Sequence, residues 1–344
     1  MLLIFLAPFS WLYGAVTSFR NFLYDLGLKR SYSFEPAVLS VGNLNVGGTG
    51  KSPMIEYLVR LLSGEYSIAI LSRGYGRKTS GFRLASDGDD AASIGDEPFQ
   101  FHQKFKDKVS VCVCEDRVAG IRALMVAKAP QVILLDDAFQ HRRAKPMFSI
   151  LLTDFSKPFF RDYVLPKGRL REARRGSKRA NLVVVTKCNA IPDQVKSEYN
   201  AKIQSYSGDV PVFFSEIGYI KPVSLSDATI GKEVVLVTGI ANSKPLVEHI
   251  SKKVNLKFHF EFGDHHFYSP REIEDIQQKA AGFNASILTT EKDMVKLISL
   301  ELSQAIKREN WFYLPIETRF IDNGSEFDRI VTERIKSHLG NSKN

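Results

Sequence analysis

The chain is 344 residues long and 44% hydrophobic, enough apolar content to bury a substantial core in one large domain or two. Its three cysteines, two of them within the apolar run 109–114, exclude a disulfide or zinc framework and suit a reducing compartment. A net charge of +9 points to acidic partners and leaves nucleic acid, anionic lipid and phosphorylated molecules open.

No charged side chain occurs from Met1 to Phe19, while Leu2, Phe5, Phe9, Leu12, Val16, Phe19 and Leu23 recur at helical spacing. Ser10, Gly14, Thr17, Asn21 and Asp25 keep the same period on the opposite side, so a two-faced helix is expected within residues 1–30. Pro8, Ser10, Gly14, Thr17 and Ser18 interrupt the roughly twenty apolar residues a spanning helix needs. No basic region precedes Leu2, as a secretory signal would require. The pattern fits an amphipathic helix in the plane of an anionic membrane surface, with Trp11, Tyr13 and Tyr24 as anchors and Arg20, Lys29 and Arg30 beside headgroups. A helix in the protein core is the alternative.

Beyond this helix, apolar runs alternate with helix-like segments in the βαβ manner, which predicts an α/β fold with a parallel sheet covered by helices on both faces. Strands are expected at 37–41, 67–71, 109–113, 131–135, 149–152 and 181–186. A second set is expected at 210–215, 233–238, 257–262, 286–290 and 311–316, with helices at 243–254 and 270–281. The polar stretch 191–209 separates the sets, so residues 31–205 read as a P-loop core and 206–344 as a smaller C-terminal α/β domain. The polar tail from Lys336 is expected to fray.

The first strand runs into Gly42-Asn-Leu-Asn-Val-Gly47-Gly48-Thr49-Gly50-Lys51-Ser52-Pro53-Met54, and a helical pattern starts at once. In that context the glycines let backbone N–H groups converge on phosphate oxygens, Lys51 reaches the terminal phosphates and Ser52 offers a hydroxyl to Mg²⁺. Pro53 falls in the first helical turn, where its missing N–H costs nothing. Asn45 stands where the usual pattern has glycine, and asparagine tolerates a left-handed backbone better than most residues. Gln131-Val-Ile-Leu-Leu-Asp136-Asp137 supplies a strand ending in carboxylates, the second part of a nucleotide–Mg²⁺ site; helix capping is the plainer use of such a pair.

A P-loop protein is a GTPase switch, an ATPase or a kinase according to what faces the γ-phosphate. Val183-Val-Val-Thr-Lys187-Cys-Asn189 resembles the guanine-reading motif but carries Asn189 in place of its aspartate, and it reads as a strand terminus. A hydrolytic GTPase or ATPase of the metallochaperone or targeting type is the runner-up. No aromatic interleaving or reader motif accompanies the basic residues, so nucleic acid is not expected as a partner, and no obligate protein partner is inferred.

The segments Ser40 to Pro53, Ser72-Arg-Gly-Tyr-Gly76, Gly95-Asp-Glu-Pro98, Glu115-Asp-Arg117, Leu135-Asp-Asp-Ala-Phe-Gln-His-Arg142, Leu165-Pro-Lys-Gly-Arg-Leu-Arg-Glu172, Asp264-His-His266 and Thr290-Glu-Lys-Asp293 occur in an order that resembles the lipid A 4'-kinase family. The resemblance runs from the N-terminal helix to about Asp293, with Ser52 in place of the commoner threonine and Ala138 where glycine is usual. It implies transfer of the ATP γ-phosphoryl group to the 4'-hydroxyl of a tetraacylated disaccharide 1-phosphate, the lipid A precursor. It also implies a place on the cytoplasmic face of the inner membrane, peripheral or monotopic through the first helix.

The acceptor hydroxyl must lose a proton, and Asp96 is the expected recipient. The resemblance pairs it with a histidine of the second domain, taken as His265 with His266 in reserve. Glu97 is expected to join Ser52, Asp136 and Asp137 as an Mg²⁺ ligand. Gln140 and His141 are expected to face the phosphates or acceptor, and Arg117 and Arg171 to stabilise the transferring group, with Arg73 a weaker third. The basic run Arg169 to Arg179 could meet anionic lipid or be a solvated loop. For Thr290 to Asp293, capping of the next helix is a sufficient reading.

Overall fold

The computed structural model describes residues 6–264, 266–298 and 302–341. The first eight strands are β1 (Ala37–Asn43), β2 (Ile68–Ser72), β3 (Arg83–Leu84), β4 (Val109–Val113), β5 (Val132–Asp136), β6 (Phe148–Asp154), β7 (Leu182–Thr186) and β8 (Val212–Tyr219). After these come β9 (Val223–Ser224), β10 (Glu233–Thr238), β11 (Asn255–Glu261), β12 (Ser286–Thr290), β13 (Trp311–Leu314) and β14 (Ile316–Phe320). The helices are α1 (Ala7–Asp25), α2 (Lys51–Leu62), α3 (Ala91–Ile94), α4 (Asp96–Phe105), α5 (Arg117–Lys128), α6 (Asp193–Ser207), α7 (Lys244–Ser251), α8 (Pro270–Gly282), α9 (Glu291–Leu297) and α10 (Gly324–Asn341).

Nine strands form one sheet in the order β14-β8-β7-β6-β1-β5-β2-β4-β3. Pairing is parallel from β8 across to β4 and antiparallel only at the two edges. The central strands are buried along their whole length, as continuous Val/Ile/Leu runs covered on both faces must be. Leu39 and Val41 of β1 pack with Met54, Leu58 and Leu62 of α2, whereas Val38 turns to the opposite face with Val118, Ile121 and Leu124 of α5. Period-two alternation thus assigns α2 and α5 to opposite faces.

A five-stranded sheet, β11-β10-β12-β13-β9, carries α8 on one face and α7 on the other, and is antiparallel only between β13 and β9. The stretch 206–344 is therefore shared between two sheets. β8 and β14 pair with each other in the larger one, and α10 adds Phe327, Val331 and Ile335 to its core. The strand pattern alone could not assign β8, because apolar residues alternate identically in either sheet. The polar tail does not fray at Lys336 but continues as α10 to Asn341, since Leu339 prolongs the stripe of Val331 and Ile335 on the same core. The chain crosses between sheets at two adjacent points, residues 220–222 and Pro315, joined by the Ile220 amide to the Pro315 carbonyl at 3.0 Å.

α1 docks through its polar stripe. Its buried side chains are Ser10 and Thr17. The Lys167 amide donates to Ser10 Oγ at 2.8 Å, the Tyr13 hydroxyl to the Arg171 carbonyl at 3.2 Å, and Asn21 Nδ2 to Glu172 at 2.5 Å. Phe9, Leu12, Val16 and Phe19 are between 60 and 66% exposed, and Trp11 is 77% exposed. A core helix would present these residues inward; here they form the solvent face. Leu2 and Phe5 of the expected stripe lie outside the described residues. No helix among the described residues is long and apolar enough to cross a membrane.

Candidate active site

Active-site chemistry in parallel sheets gathers beyond the carboxyl ends of the strands, and β1, β2 and β5 end in Asn43, Ser72 and Asp136. From Asn43 the chain turns through Gly47, Gly48, Thr49 and Gly50 into α2, directing loop N–H groups and the positive end of the helix toward one point. Lys51, Ser52, Pro53 and Met54 make the first turn of that helix. Two glycines are needed for distinct reasons. Gly50 has φ 81°, in the left-handed region, and a Cβ on Gly42 would stand 2.7 Å from Phe139 Cβ. Asn45 does not use the left-handed conformation; its Nδ2 donates to Asp162 Oδ2 at 3.0 Å, and the backbone on either side pairs with 169–171. Inside the loop Asn43 Nδ2 donates to Thr49 Oγ1 at 2.7 Å, while Thr186 Oγ1 donates to the Thr49 carbonyl at 3.0 Å.

Three carboxylates surround this loop. Ser52 Oγ donates to Glu97 Oε1 at 3.1 Å, Lys51 Nζ lies 3.8 Å from Asp137 Oδ1, and Ser72 Oγ donates to Asp136 Oδ2 at 2.9 Å. Asp136 is 3% exposed, and its other carboxylate oxygen has no hydrogen-bond partner among the described residues. Burial, then repulsion from Glu97 and Asp137, pushes its pKa up to about 7 against the pull of Lys51. Burial acts on Asp137 in the same direction, but Lys51 and Arg171 outweigh it and hold that carboxyl below its ordinary range. Glu97 and Asp96 open α4, where the helix dipole favours acidic groups; the preceding Gly95 has φ 96°. Ala138 needs no glycine, because the left-handed residue at this turn is Asp137, φ 47°.

Arg171 binds both oxygens of Asp137, at 3.1 and 3.0 Å, and reaches Asn43 Oδ1 at 3.2 Å. Gln140 Nε2 donates to the Asn43 carbonyl at 2.9 Å and to Glu172 Oε1 at 3.2 Å. Arg117 is 2% exposed and donates to the carbonyls of Cys114 and Asp136 at 2.7 and 3.2 Å, tying the ends of β4 and β5 together beneath the loop. His141 is partly buried; desolvation, reinforced by Arg117 and Arg73, lowers its pKa to about 4 and keeps the ring neutral. Arg73 itself is exposed. Asp96 stands beside this cluster, with Lys296 Nζ at 3.8 Å. His265 lies outside the described residues; His266 stacks on Phe262 and meets Glu272 Oε1 at 3.1 Å.

The arrangement draws in residues to which the sequence reading gave no role. Asn43 and Ser72 are legible once their place at strand ends is known. Glu172 has a fully buried side chain and accepts from Asn21, Gln140 and Arg179, so it links α1 to the nucleotide loop; nothing in its local sequence announces this. Cavities of about 620 and 530 Å³ flank α10, away from the carboxyl ends of the strands. Chemistry therefore places the site better than cavity size.

A strand–loop–helix phosphate cradle, a lysine at its end and three carboxylates around it define a P-loop nucleotide-binding protein of the α/β class. The family model described as "LpxK: Tetraacyldisaccharide-1-P 4'-kinase" matches residues 2–336, and the chain belongs to that family. Among its relatives, a tetraacyldisaccharide 4'-kinase of Flavobacterium johnsoniae is 46% identical, over 97% of each chain. One of Flavobacterium psychrophilum is 42% identical, over 98% of each. The crystal structure of "apo" form LpxK from Aquifex aeolicus in complex with ATP superposes with a TM-score of 0.76 at 28% identity, over 97% of this chain and 100% of that one. The protein is thus an ATP-dependent kinase of lipid A synthesis, and the hydrolytic alternative finds no support.

Proposed function

We propose that the protein transfers the ATP γ-phosphoryl group to the 4'-hydroxyl of a tetraacylated disaccharide 1-phosphate at the cytoplasmic surface of the inner membrane. The observation that carries this reading is the joining of the phosphate cradle to α1 through Glu172: it binds Asn21 of a helix whose apolar side faces outward and, through Gln140, reaches Asn43 at the start of the nucleotide loop. A water-soluble acceptor would need no such face.

In this reading the loop amides and Lys51 hold the β- and γ-phosphates and Arg171, released from Asp137, meets the transferring group. Arg117 fixes the Asp136 backbone and adds positive charge below it. Gln140 and neutral His141 face the acceptor side. Asp96 takes the hydroxyl proton, with His265 as the expected partner that orients it. Ser52, Glu97, Asp136 and Asp137 suit Mg²⁺, because the orphaned Asp136 oxygen and the repulsion among the carboxylates call for a hard cation with oxygen ligands. Mg²⁺ held there would neutralise phosphate charge as the γ-phosphoryl group is transferred. The division 1–30, 31–205 and 206–344 gives way in this reading to a smaller unit of about 223–314. That unit closes on the larger about the crossings at 220–222 and Pro315.

Incubation with γ-labelled ATP or GTP and extracted precursor tests the reaction. Label should enter the lipid from ATP and depend on the lipid; release as free phosphate alone would overturn the proposal.

A further inference from the structure

Helix α9 begins at Thr290-Glu-Lys-Asp293, with Thr290 as its cap. Capping is present: Thr290 Oγ1 accepts from the Asp293 amide at 3.0 Å. Yet every charged residue of the helix also reaches beyond it. Glu291 is 9% exposed and pairs with Lys104 of α4 at 2.8 Å; Lys104 in turn meets Glu56 of α2 at 2.7 Å, and Gln100 of α4 donates to Glu56 at 2.9 Å. Lys292 meets Asp264, next to the histidine pair, at 3.0 Å. Asp293 is fully buried and accepts from the Gly239 amide at 2.8 Å, fixing the helix to its own sheet. Lys296 is 5% exposed, and its ammonium lies 3.8 Å from Asp96 and 3.7 Å from Asp293 without a hydrogen-bond partner among the described residues.

An ammonium this deeply buried is strongly disfavoured unless opposite charge compensates it, and a structural role alone would be served by an apolar residue. Its two carboxylates stand just outside hydrogen-bond distance, so a displacement on the order of 1 Å decides whether it grips Asp96. Lys104 and Asp96 lie about two turns apart on one helix, roughly 12 Å along its axis. α9 therefore touches both ends of α4 and, through Lys104 and Glu56, the helix that carries Lys51 and Ser52.

We infer that α9 is a charged latch by which the smaller sheet sets the geometry of the proton acceptor, with Lys296 as the positioning residue for Asp96. The inference rests on Asp96 being the base, as proposed above. Lys104 and Glu291 hold α4 at its far end, and Lys292 sets the Asp264 loop from the same helix. One short element thus aligns the base with the loop expected to orient it.

The test is single-turnover transfer with excess enzyme, comparing Lys296→Met and Lys296→Arg in the wild-type and Asp96→Ala backgrounds. Lys296→Met should lower the transfer rate about 10- to 100-fold, the scale of an ångström-sized misplacement, and leave the KM for ATP within about twofold. Lys296→Arg should restore most of the rate. Lys296→Met should add no further loss once Asp96 is alanine, because residues acting through one another are not additive. An unchanged rate in Lys296→Met, or an equal loss in both backgrounds, would overturn the latch. Full turnover by Asp96→Ala alone would instead overturn the base. Should Lys296→Met fail to fold, Glu291→Gln decides: a lower rate at unchanged ATP KM supports the latch, and a wild-type rate refutes it.

Discussion

Replacing Phe9, Leu12, Val16 and Phe19 together with serine would remove the outward face of α1 while leaving its docking face intact. Full burial of a Val, Leu or Phe side chain is worth about 1.5–3 kcal/mol. Each of the four is between 60 and 66% exposed, so a bilayer could newly cover roughly 1 kcal/mol per residue at the low end. The set then contributes about 4 kcal/mol, or roughly 10³-fold in partitioning, since each factor of ten is about 1.4 kcal/mol. Stability should change by less than about 0.5 kcal/mol, because exposed side chains support little of the fold. Co-sedimentation with anionic vesicles, alongside thermal unfolding, separates the two effects. Unchanged partitioning, or a melting temperature depressed as a core substitution would depress it, would refute the interfacial role.

Other perturbations test the site. Lys51→Ala should cost about 10² to 10³ in turnover, the scale of losing one preorganised charge partner, measurable in single-turnover transfer. Asp96→Ala should lose turnover far more than ATP binding; equal losses in calorimetric titration and kinetics would move Asp96 to the nucleotide. Glu172→Ala should destabilise the fold by about 3 kcal/mol, because it strands Arg179 and the Gln140 and Asn21 amides, and chemical denaturation would read it. His141 has its folded-state pKa lowered to about 4. The unfolded chain therefore binds the proton first as pH falls below about 6.5, and stability should decline by on the order of 2–3 kcal/mol by pH 4. In His141→Gln that portion of the decline should disappear from the pH profile of unfolding.

Local chemistry was the legible part of this protein. The cradle from Gly47 to Ser52, the carboxylates ending β5 and the period-two strands follow from nearest neighbours in sequence, and the structure assembles them in one place. The two-faced character of the first helix was legible as well, because Ser10, Thr17 and Asn21 keep helical period; only the structure shows that this stripe faces the protein. Partners far apart in the chain were not legible. Glu291 and Lys104 are separated by 187 positions, and Arg171 and Asp137 by 34, and no local pattern links either pair. The expected strand 210–215 joins the larger sheet rather than the smaller for the same reason. Val212 to Phe214 pair with Val183 to Val185, some thirty positions earlier, and their apolar pattern alone would suit either sheet.

The reaction proposed is phosphoryl transfer to a lipid sugar at a membrane surface. Phosphorus NMR of the products formed from ATP and vesicle-embedded disaccharide 1-phosphate tests it most directly. A second phosphate monoester on the disaccharide, appearing in step with ADP, is the predicted result. Orthophosphate formed at the same rate with and without the lipid, and no new ester, would contradict it.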